Sequence, residues 1–429
     1  MTTRWTRLHA ALGDTPGPLS FDQVKRAVDA EVPETDDLDW KKGLPGDSGL
    51  DEFAKDVAAM ANAAGGLLVY GVAEKRGTGT AESLSLLELM ETDVRRLRST
   101  VFSRIQPAVT GVDFLDLKSD QEPGSVLVVC VPASEDAPHQ VGNRNRIGVP
   151  FRVGTDTQWM NERAIERAYA DRFQRRSSEA SSLADDIHQS AELIDLDEFA
   201  WLVAVAHPHR PNTGVTPPPS AEDVKQLLEA TLATSISIAP NQNREHLIRE
   251  LNSAALNPRV GLRRWIVQTT PHNSPDDRSD YVLLEIRHDG SVLLAVAVGN
   301  WLKTPVVDGK HNVPSSTVEG FAADLVALVN TTGREIIGGG PYSYRVDLVR
   351  SDEQAFAAVD NQSRGGMTLS ILEQPPWSRS VRRFRPATGV ILTPIDVEGQ
   401  RDLARTIASD VLNQFGITTL YRLPLAQPK

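Results

Sequence analysis

The sequence predicts an α+β protein with two domains, and three observations support this. The chain has 429 residues, whereas a typical domain holds about 100 to 200. Residues 37–73 predict a strand, a helix and a second strand, because an alternating LDWK segment and the apolar run LLVYGV flank a helical repeat. Residues 281–300 predict a β-hairpin with Asp289-Gly290 at its turn. Each half of the chain therefore combines helices with strands.

In the first half, residues 21–30 predict a short helix, and Pro33 then takes the chain out of helical geometry. Leu38 to Lys41 alternates as a strand does, and Ser48-x-x-Asp51 is a capping box for the helix that ends at Gly65-Gly66. Further along we predict a helix from Leu84 to Phe102, a hairpin of VDFLDL and SVLVVCVP, a strand VPFRVG, a helix from Trp159 to about Phe173, and a linker RRSSEASSLADD.

In the second half, the run AWLVAVA predicts a strand and residues 220–233 a helix. Ser316-x-x-Glu319 caps a helix with Val318, Phe321, Leu325 and Leu328 on one face, and a last helix spans about 402–415. The predicted domains are an N-terminal helical extension (1–30), a first α+β domain (31–178), a linker with the first strand of the next domain (179–219), and a C-terminal α+β domain (220–429).

Composition narrows the function classes. The net charge of −12 argues against a surface coated in positive charge, although a local basic groove stays compatible with it. The longest apolar runs are far below the roughly 20 residues of a membrane span, and the N-terminus lacks a signal-peptide core, so we predict a cytoplasmic protein. The single cysteine, Cys130, excludes a disulfide within the chain and zinc sites of paired cysteines, and its apolar neighbours predict a buried thiol.

The segment ETDDLDWK, Glu34 to Lys41, carries the strongest chemical signal. In a strand, Asp39 and Lys41 lie on one face while Leu38 and Trp40 point into the core. A D-x-K pair beside a second acid can hold a divalent metal and steady a developing phosphate charge. Glu74 ends the next strand, where it could meet Asp39. Alone, D-x-K is more often a solvated strand edge, and Gly65 and Gly66 suit close packing as well as a ligand.

Weaker candidates have plainer explanations. His207-Pro-His209 could bind metal, but a plain loop is the better interpretation. The arginine clusters and the RSVRRFRP segment could contact nucleic acid, or could simply be solvated faces and strand-edge packing. No G-K-[ST] phosphate loop occurs, which excludes nucleotide hydrolysis of that kind.

Several of these motifs occur in an order that resembles a known family. Glu34, the LDWK strand, the A-x-A-N-x-x-G-G-L-L-x-x-G-V run from Ala59 to Val72, PHQ at Pro138 to Gln140, and FRVGTDTQWM from Phe151 resemble the Schlafen-type, AlbA-like nucleic-acid-binding domain. The resemblance covers about residues 30–175. This chain has Asp-Trp-Lys where the family commonly has Glu-Phe-Lys, and Glu74 where it commonly has Asp.

The resemblance implies a mixed sheet with helices and a groove for tRNA or other structured or single-stranded nucleic acid. It also implies a metal site of three carboxylates, Glu34, Asp39 and Glu74, holding Mg²⁺ or Mn²⁺, with Lys41 as a further catalytic residue. Family habit suggests a homodimer that completes the groove, and a C-terminal sensor or partner module for a phage or stress signal. The candidate groove residues are Arg95, Arg98, Arg104, Arg152 and Arg172.

Three hypotheses follow from the sequence. The first is a metal-dependent endoribonuclease acting on tRNA or other RNA. The second is a non-catalytic DNA-binding regulator, in which the acids orient cationic side chains. The third is a scaffold whose acidic surface recruits another protein.

Overall fold

A computed structural model gives the fold of this protein. It describes residues 6–15, 17–75, 77–119, 123–143, 146–190, 192–211, 218–240, 246–251, 258–269, 281–299, 302, 305–364 and 367–423. The chain divides into two compact units, 1–179 and 180–429. Both units combine helices with sheets, which confirms the predicted α+β class. None of the helices in the described ranges is long and apolar enough to cross a membrane.

The N-terminal unit is built from short helices and several small sheets. Its helices are α1 (Arg7–Leu12), α2 (Phe21–Asp29), α3 (Leu50–Ala61), α4 (Glu91–Arg104) and the first part of α5 (Glu162–Ser190). Its strands are β1 (Leu38–Lys41), β2 (Gly65–Tyr70), β3 (Val72–Lys75), β4 (Thr80–Leu84), β5 (Ile105–Gln106), β6 (Asp113–Lys118), β7 (Ser125–Pro132), β8 (Gln140–Asn143), β9 (Arg146–Gly148), β10 (Pro150–Val153) and β11 (Asp156–Trp159).

The main sheet of this unit has the strand order β1-β2-β7-β6 in the described residues. Strands β1 and β2 are parallel, with Asp39 opposite Leu68, and the other pairs are antiparallel. Separate small sheets join β3 to β4, β5 to β8 and β9, and β10 to β11. The predicted strand, helix and second strand of residues 37–73 are therefore present as β1, α3 and β2.

The main sheet buries apolar side chains on both faces, as the alternation of its strands requires. On one face Leu38 and Trp40 pack with α1 and α2, which makes the predicted N-terminal extension part of this core. On the other face Leu68 and Tyr70 pack with α3 and α4. Asp39 lies between Leu38 and Trp40 in β1, so it points to the α3 side of the sheet.

Two glycines let the chain turn tightly from α3 into β2. Gly65 has a φ of 80°, in the left-handed region that favours glycine. Gly66 lies against β1, and a Cβ atom there would come within 2.8 Å of the Asp37 carbonyl oxygen. The backbone of Leu67 donates a 2.9 Å hydrogen bond to that same oxygen. The close approach therefore sets the register of the strand that carries Asp39.

We expect Gly66→Ala to destabilise the N-terminal unit. The added methyl group has no free space against Asp37, and overpacking of this kind costs about 1–3 kcal/mol. Gly46→Ala is the matched control, because nothing lies within 4 Å of a Cβ at Gly46. Urea unfolding followed by circular dichroism measures both changes. Equal midpoints for the two variants would show that β1 and β2 tolerate a wider separation.

The C-terminal unit is organised around a larger sheet. Its strands are β12 (Trp201–Pro208), β13 (Arg259–Gly261), β14 (Arg264–Gln268), β15 (Val282–Arg287), β16 (Val292–Ala297), β17 (His311–Pro314), β18 (Gly340–Val349), β19 (Phe356–Arg364), β20 (Met367–Glu373) and β21 (Ala387–Thr393). Its helices, after the end of α5, are α6 (Ala221–Ile238), α7 (Leu247–Glu250), α8 (Ser315–Thr332) and α9 (Val397–Leu412). In the described residues seven strands pair antiparallel in the order β13-β14-β15-β16-β12-β18-β21.

Helix α8 forms the centre of this unit. The predicted apolar face of this helix is buried, but the remaining residues from Ser315 to Thr332 are buried as well. The buried carboxylate of Glu319 accepts backbone hydrogen bonds from Arg422 and Leu423, at 2.7 and 2.8 Å. Asp324 accepts one from the backbone N–H of Leu247 at 2.5 Å. The polar side chains of α8 therefore tie loops to the core, which a one-sided hydrophobic pattern does not reveal.

One of three predicted features differs in the structure from what was expected. The predicted linker RRSSEASSLADD lies inside helix α5, because serine and alanine in a charged, proline-free segment do not interrupt a helix. The predicted hairpin at residues 281–300 is present as β15 and β16, with Gly290 at a φ of 90°. Cys130 is buried in β7, as predicted.

Candidate nucleic-acid and phosphoryl site

Strand β1 brings Asp39 and Lys41 together on the α3 side of the main sheet. The Lys41 Nζ atom lies 2.8 Å from Asp39 Oδ1. Leu38 and Trp40 are 0% and 1% exposed, which confirms the predicted alternation. Asp39 is 3% exposed, whereas the Lys41 side chain is 38% exposed. The carboxylate is therefore buried beneath the lysine, and the ammonium group is the part of the pair that reaches solvent.

Glu34 lies beside this pair, held by the backbone on two sides. Its Oε1 atom accepts a 2.9 Å hydrogen bond from the backbone N–H of Trp40, and its own N–H donates to the Gly79 carbonyl at 2.8 Å. Partial burial and a side-chain hydrogen bond with Asp39 raise the pKa of Glu34 to about 7. A hydrogen bond between two carboxyl groups needs a proton on one of them, so the pair shares a proton near neutral pH.

This shared proton makes the stability of the fold depend on pH. The pKa of Glu34 rises from its ordinary 4.5 to about 7 on folding, so the folded chain binds this proton more tightly than the unfolded chain does. The stability that the group contributes is complete below pH 4.5 and is lost as the pH rises through about 7.

We expect Glu34→Gln to remove this loss, because a glutamine amide donates to Asp39 without titrating. The free energy of unfolding of the variant should fall less than that of the wild type between pH 4.5 and 7. Glu82→Gln, at an exposed position of β4, is the control and should follow the wild type. Urea unfolding across this pH range measures the difference, and identical pH profiles for all three proteins would contradict the shared proton.

Arg152 approaches Asp39 from the β10–β11 hairpin. Its NH1 atom lies 3.7 Å from Asp39 Oδ2, with both side chains 4% exposed. Its NH2 atom also donates to the Thr35 carbonyl at 3.4 Å. Arg152, expected to line a groove, is instead buried, since its charge is needed against the buried Asp39.

The pKa of Lys41 reflects the same cluster. Burial lowers it, but the charges of Asp39, Asp56 and Glu34 outweigh burial and raise the pKa of the ammonium group above its usual value. Lys41 is therefore charged at every physiological pH. It places a fixed positive charge at the surface of an otherwise acidic cluster.

Asp56 also belongs to this cluster and was missed by the sequence analysis. It lies on α3 and is 5% exposed, and burial together with the charge of Asp39 raises its pKa to about 6. The available signal was its place in FAKDVAAMA, where a lone acid adjoins the apolar stripe of a helix. Periodicity alone gave no reason to separate it from a solvated helix face.

Glu74 was expected to form a metal site with the other two acids, and the structure does not show such a group. It is exposed on β3, which pairs with β4 in a sheet of its own, and its charge is felt at Glu34. Among the described residues no three histidine, cysteine, aspartate or glutamate side chains form a group that could hold a metal ion. The structure therefore brings Glu34 and Asp39 together, and Glu74 does not complete a group of three carboxylates with them.

The other expected groove arginines lie at the surface of the N-terminal unit. Arg95 pairs with Glu91 at 2.8 Å with both side chains largely exposed, and Arg104 pairs with Asp51. Arg98 lies over the Phe114 ring, 5.4 Å from its centroid.

Arg172 is anchored differently, in α5. Its guanidinium donates to the carbonyls of Ala137 and Pro138 at 3.1 and 2.9 Å. Burial lowers its pKa below the usual value. It therefore supports the loop before β8 as well as adding positive charge.

Asn62 connects three segments of the N-terminal unit. The side chain of Asn62, at the end of α3, donates to the carbonyls of His139 and Pro150 at 2.9 and 2.7 Å and accepts from the His139 N–H at 2.7 Å. It thereby connects α3 to the start of β10.

The two histidines of the His207-Pro-His209 segment lie in the C-terminal unit. His207 lies 2.7 Å from Asp186 and His209 lies 2.8 Å from Ser343, so the two histidines have separate partners.

One family model agrees with the motif order. Residues 34–161 match the family described as Schlafen, AlbA_2. The N-terminal domain of a RecG-related protein from Nitrosomonas europaea is similar at 22% identity, over 33% of this chain and 93% of that one, with a TM-score of 0.26. The DIP2311 protein from Corynebacterium diphtheriae is similar at 19% identity, over 54% of this chain and 41% of that one, with a TM-score of 0.23. No curated protein gives a match.

Proposed function

We propose that residues 34–161, whose match to the Schlafen, AlbA_2 family indicates nucleic-acid binding, bind RNA and cleave its phosphodiester backbone with Mg²⁺ or Mn²⁺. The observation that carries the proposal is the contact between Glu34 and Asp39 beside Lys41. RNA as the preferred substrate, tRNA included, and a homodimer that completes the groove are part of the proposal. So is a role in phage defence or stress, with the C-terminal unit as its sensor.

The pair of carboxyl groups fits a divalent ion. Two carboxylates in contact repel each other unless a cation or a proton lies between them, and the raised pKa of Glu34 is consistent with a proton in that place. Mg²⁺ is commonly held by one or two carboxylates, with waters and substrate phosphates completing its shell. A third protein carboxylate is therefore not required, and Glu34 with Asp39 would hold the ion. When bound, the ion would stabilise negative charge on the phosphoryl oxygens.

The remaining residues have defined tasks in this proposal. Lys41 presents its ammonium group at the surface, where it would contact the scissile phosphate. Arg152 orients Asp39 through a buried contact with its Oδ2 atom. Glu74, exposed and electrostatically coupled to Glu34, adds negative potential that draws a cation to the pair.

Two contacts of Asp39 favour the alternative of a non-catalytic DNA-binding regulator. Both oxygens of Asp39 face cations of the chain, Lys41 at 2.8 Å and Arg152 at 3.7 Å. A carboxylate neutralised in this way could serve to orient Lys41 for phosphate binding. Metal binding would then be absent.

A cleavage assay separates the two functions. Purified full-length protein is incubated with tRNA, single-stranded RNA and single-stranded DNA, each with Mn²⁺ or with EDTA. The proposal predicts RNA fragments in Mn²⁺ and none in EDTA. Intact substrate in both, with binding that weakens steeply as salt increases, would favour the regulator.

A further inference from the structure

A pocket of about 550 Å³ opens in the N-terminal unit, and its lining includes neither Glu34 nor Asp39. The beginning of α3, the end of α4 and strands β8, β9 and β11 form its walls. Its size lies within the range of about 300–1,000 Å³ that small-molecule and cofactor sites occupy. Its lining combines apolar side chains with two cations and two acids.

The apolar part of the pocket is centred on an exposed tryptophan. Trp159 is 54% exposed, although burying an indole is favourable. One side of its ring rests on Gly148, so closely that a Cβ there would lie 2.6 Å from Cε3 and Cζ3. The ring is thus supported by backbone while much of its surface stays open to the pocket. A fixed aromatic ring of this kind suits the stacking of a planar base.

The polar part of the pocket carries cations that a phosphate could engage. Arg104 pairs with Asp51, and Lys55 pairs with Glu52. The two acids are 84% and 65% exposed, respectively, and exposed ion pairs contribute little stability. A phosphate group can therefore replace either acid at low cost, through charge-assisted hydrogen bonds to the same cations.

Two elements connect the pocket with the region of the carboxylate pair, and the first of them is α3. The Lys55 Nζ atom, in the pocket, lies 3.8 Å from Asp56 Oδ1 on the same helix. The charge of Asp56 in turn interacts with Asp39 and Lys41. A cation of the pocket is thus the immediate neighbour in sequence of an acid in the cluster around Asp39.

The second element is the β10–β11 hairpin. Arg152 pairs with Thr157 and Pro150 with Trp159, so Arg152 and Trp159 lie on one face of the hairpin as diagonal neighbours. Such neighbours are about 7–8 Å apart. The hairpin therefore carries both Arg152, which contacts Asp39, and Trp159, which lines the pocket.

We propose that this pocket holds one unstacked nucleobase of the bound RNA on Trp159, with an adjacent phosphate between Lys55 and Arg104. The inference rests on the proposed function and narrows its substrate. Single-stranded RNA, or a nucleotide turned out of a helix, fits such a pocket, whereas a continuous duplex keeps its bases stacked on each other. Because Lys55 adjoins Asp56 and Trp159 shares a hairpin with Arg152, we expect the held base to lie near the scissile phosphate.

The test compares binding in EDTA, where no metal-dependent cleavage occurs. Fluorescence anisotropy with a labelled single-stranded RNA and its blunt duplex gives the affinities of the full-length protein. Trp159→Ala should weaken single-stranded binding by about 5- to 150-fold, the range for loss of one stacked base. Trp159→Phe should keep most of the affinity. Trp377→Ala removes a tryptophan that is 70% exposed in the C-terminal unit and should change nothing.

A second variant alters the pocket without removing the Trp159 indole. Gly148→Ala forces the ring off its support, so it should weaken binding in the same direction as Trp159→Ala. The salt dependence of binding should stay unchanged in both, because stacking releases no counterions. Wild-type affinity in Trp159→Ala would overturn the inference.

The failure of the pocket and the failure of the proposed function can be told apart. If the wild type binds RNA but does not cut it in Mn²⁺, the proposed nuclease fails while the pocket is judged by Trp159→Ala alone. If the wild type binds no RNA, adenosine monophosphate is titrated while the Trp159 indole N–H is followed by NMR. A shift of that signal supports the pocket without the nuclease, and its absence overturns the pocket.

Discussion

Asp39→Asn is expected to abolish Mn²⁺-dependent cleavage of RNA while leaving RNA binding nearly intact. Asparagine keeps the shape of the side chain but removes the charge that would hold the ion against Glu34. Transition-state stabilisation by a metal ion is worth several kcal/mol, and a loss of about 4 kcal/mol lowers the rate about 1000-fold. Initial rates on a labelled single-stranded RNA measure the change.

The control for this variant is Asp36→Asn, three residues away. The Asp36 side chain is 56% exposed and lies 3.8 Å from Arg7. The cleavage rate of Asp36→Asn should therefore stay within about twofold of the wild-type rate, as expected of a surface change. Thermal unfolding of both variants shows whether they are folded at the assay temperature. Wild-type cleavage by Asp39→Asn would remove Asp39 from the proposed mechanism.

Arg152→Met is expected to cause the largest loss of stability among single changes at this site. Methionine fills similar space but leaves Asp39 buried with one cation fewer, and breaking a buried ion pair costs about 3–5 kcal/mol. Lys41 still neutralises Asp39 at 2.8 Å, so we expect the lower end, about 3 kcal/mol. Urea unfolding measures the free energy of unfolding.

Two further proteins identify the cause of that loss. Arg95→Met breaks a pair whose side chains are 76% and 87% exposed, so its cost should be below about 0.5 kcal/mol. The double variant Asp39→Asn, Arg152→Met removes the uncompensated charge and should be more stable than the sum of its single changes predicts. Strict additivity would mean that the two side chains do not interact, and that Arg152 stabilises the fold through packing alone.

The local order of elements around the site could be predicted from the sequence. The alternation of LDWK is a short-range signal, and it places Leu38 and Trp40 in the core and Asp39 with Lys41 on the opposite face. The glycines after α3 similarly signal a close approach, which the contact of Gly66 with Asp37 realises. Such signals depend on neighbouring residues, which sequence displays directly.

The set of residues that form the site was harder to predict than the local order of elements, because it depends on contacts between residues that are distant in sequence. Arg152 reaches Asp39 across more than 100 positions, and nothing in FRVG distinguishes a buried arginine from a groove arginine. Glu74 was expected near Asp39 because it lies at the end of the LLVYGV strand, yet the structure places it on β3, which pairs with β4 and not with the main sheet. Trp159 belonged to a recognised motif, but only the fold shows that its ring rests on Gly148.

Calorimetric titration of Mn²⁺ into the full-length protein tests most directly whether Glu34 and Asp39 together hold a divalent ion. The wild type should bind one ion per chain with release of a proton at pH 7, because the proton shared by the two carboxyl groups must leave. Glu34→Gln and Asp39→Asn should each lose this binding. Equal Mn²⁺ binding by all three proteins, or none by the wild type, would contradict the proposed metal site.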